Sequence, residues 1–213
     1  NKGQWEGNIL FKARLQKGAL FVEKDGLVFH LNDVEKHQDK KTNSAHAFKI
    51  EAKNPLTPSI KTPNPLPSYS NYFVGKEKEK WAYKVRAYQE IVYQNIFNNI
   101  DWRVYSKDNE LKHEFIVNPN GVVEDIVLQY KGLYDIKLKK DELILKTCLG
   151  EIIEEKPYAY QIINGKETPV QVEFSLKDNN VSYKIGNYDK TPCTNLFNLF
   201  GKHGRQLGIY LYL

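Results

Sequence analysis

Residues 71–121, NYFVGKEKEKWAYKVRAYQEIVYQNIFNNIDWRVYSKDNELKHEFIVNPNG, hold the densest run of aromatic and β-branched residues in the chain, broken by polar turn clusters. Inside it, Trp102-Arg103-Val104-Tyr105 and residues 111–117 alternate apolar with polar side chains on either side of Ser106-Lys107-Asp108-Asn109-Glu110. A period of two sends alternate side chains to opposite faces of a strand, so the stretch reads as a hairpin, with Trp102 and Phe115 on adjacent antiparallel strands facing a core. Trp81, Val85, Tyr88, Val92 and Ile96 also fall at helical spacing. The load of Tyr83, Ile91, Val92 and Tyr93 favours strand instead, preceded at most by a helical turn over residues 76–80.

Working outward, residues 9–15, 19–23 and 27–31 read as a three-stranded meander, with Asp25-Gly26 supplying positive φ angles at one turn. Residues 32–44 are polar and aperiodic, which predicts an exposed loop, and residues 45–53 return to strand. Pro55, Pro58, Pro63, Pro65 and Pro67 make residues 54–70 a surface connection or sheet edge, because proline cannot donate to a ladder. After Gly121, short apolar runs recur at roughly ten-residue spacing between Lys139-Lys140-Asp141, Asn164-Gly165-Lys166 and Asp178-Asn179-Asn180. The expectation is an all-β protein, an antiparallel β-sandwich of many short strands in a single domain.

Composition narrows the function classes. The 213 residues carry a net charge of +5, but acidic and basic residues interleave, as in Lys76-Glu77-Lys78-Glu79-Lys80, which makes a solvated face and not a nucleic-acid track. No apolar run approaches the roughly 20 residues of a membrane helix, so no membrane insertion is expected. There is no Gly-rich phosphate loop and no nucleophile elbow. His30, His37, His46, His113 and His203 lack metal-ligand spacing, so neither a metal nor a cofactor is expected. Glu110 with Glu114, or Glu154 with Glu155, has the residue types of a glycosidase pair, but strand alternation assigns these carboxylates to solvent.

A resemblance runs through these residues. Asn1-Lys2-Gly3-Gln4-Trp5, Asn71-Tyr72-Phe73-Val74-Gly75 with Trp81 and Val85-Arg86-Ala87-Tyr88, Ile100-Asp101, Phe115-Ile116-Val117-Asn118-Pro119, Leu149-Gly150-Glu151-Ile152, Pro157-Tyr158-Ala159-Tyr160-Gln161 and Tyr188-Asp189-Lys190 are similar to an uncharacterised secreted bacterial domain. That domain resembles an N-terminal module of large cell-surface proteins, placed after the signal peptide and ahead of SBBP-type β-propeller repeats, often as type IX secretion cargo. The resemblance implies a secreted or cell-surface location, with any signal peptide removed, and the adjoining propeller repeats as partners. It transfers no catalytic or ligand residues. Asn98-Asn99 stands where the family more often has Pro-Gly, and both pairs suit a tight turn.

The 14 Tyr, 10 Phe and 3 Trp are the suggestive set. Flat rings on an exposed sheet face stack on sugars, and Trp5, Tyr69, Tyr72, Trp81 and Trp102 are the candidates; the competing reading is that they fill the core with wet polar tips. The leading expectation is a non-catalytic structural or interaction module over residues 1–191. A carbohydrate-binding module is the alternative, contacting glycans or other surface proteins, and a secreted hydrolase is third. Residues 192–213 read as an atypical tail. Codons compatible with residues 197–213, read one nucleotide later, permit Ser-Thr-Tyr-Ser-Gly-Asn-Thr-Ala-Gly-Asn-Trp-Gly-Tyr-Thr-Tyr-Thr, a string like the start of a propeller repeat. A frame shift near residues 191–196 is therefore expected, with a tail that is poorly ordered or ordered only by opportunistic contacts, and no selected disulfide between Cys148 and Cys193.

Overall fold

The structure, a computed structural model, describes the chain except residues 1, 4, 6, 38–39, 74, 108–109, 191–193, 200–208 and 211–213. In chain order the strands are β1 (Ile9–Leu15), β2 (Gly18–Glu23), β3 (Gly26–His37), β4 (Lys40–Ala52), β5 (Ser59–Lys61), β6 (Pro65–Tyr72), β7 (Ala82–Tyr88), β8 (Glu90–Phe97), β9 (Ile100–Lys107) and β10 (Glu110–Val117). They continue as β11 (Leu128–Lys131), β12 (Asp135–Lys139), β13 (Glu142–Thr147), β14 (Gly150–Glu154), β15 (Tyr158–Ile163), β16 (Lys166–Val170), β17 (Val172–Lys177), β18 (Asn180–Ile185), β19 (Thr194–Leu199) and β20 (Ile209–Tyr210). Pairing is antiparallel throughout. An eight-stranded sheet has the order β17-β18-β11-β4-β3-β2-β1-β20, a seven-stranded sheet β16-β15-β19-β10-β9-β8-β5, a three-stranded sheet β12-β13-β14, and β6 with β7 forms a separate ribbon.

The two large sheets close over one core. Leu20, Val22, Leu27, Phe29 and Ile50 from the first, and Ile91, Tyr93, Trp102, Val104 and Phe115 from the second, are buried in a single cluster joined by Ile136, Leu143 and Leu145 of the third. Contacts cross between the sheets: the Tyr93 hydroxyl donates to the carbonyl of Glu23 at 2.7 Å, and the Phe115 and Tyr183 rings lie 6.1 Å apart. The fold is thus all-β and antiparallel, one domain with no closed barrel. Ring stacking tracks register. Tyr93, Trp102 and Phe115 sit opposite one another on β8, β9 and β10, and their rings stack at 5.3 and 5.6 Å.

Sequence and structure agree on the meander, on strand over residues 82–97, and on the short helical turn Lys78–Lys80. At Asn98-Asn99 the turn survives because Asn99 takes the positive φ of 55° that a glycine would otherwise supply. Two expectations are corrected and one is met. Residues 32–37 and 40–44 are not a loop: the β3–β4 ladder runs on to His37 opposite Lys40, since backbone pairing needs no apolar pattern. The proline-rich segment is the expected sheet edge: it carries edge strand β5 and ribbon strand β6, both at positions where proline's missing donor is tolerated. Gly26 is a glycine for space, not φ, because a Cβ there would lie 2.4 Å from the carbonyl oxygen of Ile50.

Part of the tail is ordered. Residues Thr194–Leu199 form β19 between β10 and β15, with Leu196 opposite both Phe115 and Ala159. Two open edges offer rows of unpaired backbone groups, which a strand satisfies largely irrespective of its side chains. Cys193 lies outside the described residues, so its pairing does too; Cys148 is a free, exposed thiol.

Candidate functional site

Four polar side chains meet in the core where all three sheets converge. The indole Nε1–H of Trp102 on β9 donates to His113 Nδ1 on β10 at 3.1 Å. An indole only donates, so Nδ1 must be the acceptor and carries no proton. His113 Nε2 lies 3.5 Å from Glu154 Oε1 on β14, and the Tyr130 hydroxyl on β11 donates to Glu154 Oε2 at 2.7 Å. Burial, with Glu154 beside it, pushes the Tyr130 phenol well above its ordinary value. Trp102, His113 and Glu154 have no exposed surface at all. The residue types are those of proton-transfer chemistry, but among the described residues none of the four main clefts is lined by them. What the arrangement does is fasten the eight-stranded sheet to the three-stranded one through the Tyr130–Glu154 hydrogen bond, made in a low-dielectric interior.

A second network lies on the outer face of the seven-stranded sheet. Arg103 bridges Glu90 on β8 and Glu114 on β10, meeting Glu114 at 2.9 Å, and packs its guanidinium 4.4 Å from the Tyr105 ring centroid. Glu114 is 2% exposed, which corrects the expectation of a solvent carboxylate. The alternation was right about its face; the face itself is covered. Glu154 is corrected more fully, since it points into the core. Burial raises the Glu114 carboxyl above the ordinary range although Arg103 opposes this, and burial pushes the Tyr105 phenol up to about 12.

This network makes stability depend on pH. Arg103→Met leaves Glu90 and Glu114 together without a cation and should cost about 2 kcal/mol at pH 7, below the about 3–5 of a fully buried pair. Glu114's folded pKa, already raised, rises further without Arg103. A raised carboxyl stabilises below its unfolded pKa and loses that contribution as pH climbs through the folded one. The deficit of the variant should therefore shrink between pH 7 and pH 5 in urea melts. A deficit that is flat with pH would remove Glu114 from the account.

The five aromatic candidates separate. Trp102 belongs to the core and is withdrawn from any exposed face. Trp5 and Tyr72 are half-buried, with their rings edge-on at 5.9 Å, and Lys12 Nζ sits 4.1 Å from the Trp5 ring centroid. Trp81 is half-buried against Phe73 at 5.2 Å, its indole N–H donating to the Gly75 carbonyl at 3.3 Å. Tyr69 is 58% exposed. Phe73 and Tyr83, which sequence reasoning does not single out, are 59% and 53% exposed and in edge contact at 5.5 Å. Their signal is their place at the ends of the β6–β7 ribbon, which only strand pairing reveals.

Two clefts flank the Trp5–Tyr72 pair. One, of about 410 Å³, lies between β1–β2 and the ribbon and is lined by Lys12, Arg14, Ala19, Ser70, Asn71 and Tyr72. The other, of about 600 Å³, is lined by Lys2, Trp5, Phe11, Val85, Arg86 and Tyr88 among others. Both fall within the size range of ligand pockets. No carboxylate lines either among the described residues. The described residues hold no group of three His, Cys, Asp or Glu arranged for a metal ion, and no helix long and apolar enough to cross a membrane.

These features define a single-domain, all-β module with His113 and Glu154 held in its core and exposed aromatic rings on its ribbon. Residues 1–193 match the family described as a domain of unknown function (DUF7948), and the chain belongs to that family. No curated protein and no solved structure matches it.

Proposed function

We propose that the chain is a non-catalytic structural and interaction module of a secreted cell-surface protein, built to be continuous with the segment C-terminal to it. The observation that supports this is β19. The family match ends at residue 193, and the strand that joins β10 to β15 begins at Thr194, so chain beyond the family's extent completes the seven-stranded sheet. On this reading the C-terminal segment in family parents is a set of SBBP-type β-propeller repeats, and the parent is type IX secretion cargo. Truncation after Lys190 should expose the facing edges of β10 and β15 and lower stability by at least about 2 kcal/mol, roughly 4–8 °C in midpoint for a chain of this size. A truncated chain that melts like the whole one would take away the support.

A carbohydrate-binding role is the second reading, favoured by the exposed rings of Tyr69, Phe73 and Tyr83 along one ribbon. A glycan array with the chain and with a Tyr69→Ala/Phe73→Ala variant decides it: signal lost in the variant supports it, and a clean negative removes it. The variant itself should change stability by less than about 0.5 kcal/mol. Hydrolysis would require Glu114 or Glu154 to reach a substrate through the packing that encloses them. Turnover of a polysaccharide that Glu154→Gln abolished without loss of stability would overturn the non-catalytic reading.

A further inference from the structure

We propose that the cleft between β1–β2 and the β6–β7 ribbon binds an acidic saccharide, whose carboxylate or sulfate sits between Lys12 and Arg14. The proposal rests on the interaction-module reading and names its ligand. Lys12 and Arg14 are two apart on β1 and so share the outer face of the eight-stranded sheet, opposite Phe21 and Ala19 of β2. Neighbouring cations are matched. Lys49 on β4 holds Glu23, Asp25 and Glu51, each at 3.0 Å, and Lys17 holds Asp33 at 2.9 Å. Lys12 and Arg14 have no carboxylate partner among the described residues, and Lys12 instead faces the Trp5 and Phe21 rings at 4.1 and 5.3 Å. Aromatic faces attract a cation but leave its charge in place. Burial first, and then repulsion from Arg14, lower the Lys12 pKa.

The rest of the cleft suits a sugar. Asn71 Oδ1 accepts from the backbone N–H of Lys84 at 2.9 Å, which fixes the side chain and leaves its NH₂ as a donor in the cleft beside the Ser70 hydroxyl. That contact is built into the backbone: Lys84 holds a positive φ of 50° next to the irregular pairing of β6 with β7. A left-handed lysine is a strained choice, and here Asn71 is what satisfies its N–H. The edge-on Trp5–Tyr72 pair joins this cleft to the second one, where Arg86 stands, so a chain of sugars has a second cationic position along the same path. Two or three cations beside hydroxyl-bonding groups suit spaced single charges better than the continuous phosphate track of a nucleic acid.

The test is affinity electrophoresis of the 213-residue chain through gels containing polygalacturonate, dextran sulfate, neutral dextran or a dT20 oligonucleotide. Retardation by polygalacturonate or dextran sulfate is expected, and which of the two retards tells uronate from sulfate recognition. Neutral dextran should have no effect. Lys12→Gln/Arg14→Gln should weaken binding at least about tenfold, the equivalent of one lost ionic contact, while Lys12→Arg stays within about threefold. Equal melting midpoints of variant and parent show that the cleft and not the fold was changed. The proposal is overturned if neither acidic polymer retards the chain, if the double variant binds as well as the parent, or if dT20 retards it equally. Any of these leaves the module reading standing, because truncation after Lys190 decides that separately.

Discussion

Glu154→Ala is expected to remove about 3–5 kcal/mol of stability, measured as the urea midpoint and slope at pH 7. The expectation comes from position. Glu154 is fully buried on β14, accepts from the Tyr130 hydroxyl of the eight-stranded sheet at 2.7 Å, and lies 3.5 Å from His113 of the seven-stranded sheet. Removing it takes the acceptor from the buried Tyr130 hydroxyl, takes the carboxylate from beside the His113 ring, and opens a cavity between them. The loss from an unmatched buried polar group exceeds what the matched group contributed, so deleting both sides together should cost less. A Glu154→Leu/Tyr130→Phe double variant should accordingly recover part of the deficit of Glu154→Ala. A single variant within about 1 kcal/mol of the parent would mean that the three sheets are held by apolar packing alone.

Phe115→Ala should cost about 3–5 kcal/mol, the range for deleting a buried ring. Phe115 packs on Trp102 at 5.6 Å, with Phe97 and Tyr183 at 6.4 and 6.1 Å, so neighbours on three strands and both large sheets lose contact at once. The site has little room to collapse, because its neighbours are themselves rigid rings. Trp102→Phe gives the complementary measurement. It keeps a ring in the Tyr93–Trp102–Phe115 stack but removes the N–H that His113 Nδ1 accepts, and should cost about 1–3 kcal/mol. A loss under about 1 kcal/mol for Phe115→Ala would place the ring at the surface.

Alternation alone is enough to read β9 and β10, to pair Trp102 with Phe115, and to predict an all-β antiparallel fold. It works because a strand's side-chain period is fixed by backbone geometry, and because Asn, Asp and Gly at turn positions such as Asn99 and Asn164 tolerate positive φ. The same alternation puts His113 in line with Leu111, Phe115 and Val117 on the inward face, and Glu114 on the outward one. What it lacks is the partner across space. His113 and Glu154 are 41 residues apart in sequence (154 − 113), and nothing local encodes that β14 of a third sheet passes beside β10. Whether a strand face is wet depends on what covers it, so alternation assigns Glu114 to solvent although it is buried against Arg103. Trp5 and Tyr72 are legible as aromatic candidates, but their meeting, and the place beside them of Lys12 and Arg14, which have no carboxylate partner among the described residues, come from folding the ribbon against β1. The fate of Thr194–Leu199 is decided in the same way: composition makes it a tail, and two open sheet edges make it a strand. Sequence determined most of the core strands, β9 and β10 among them, and the face that each of their residues presents, since those depend on the local chain. The tertiary structure alone decided which faces meet and which charges find a partner, since those depend on contacts between residues far apart in the chain.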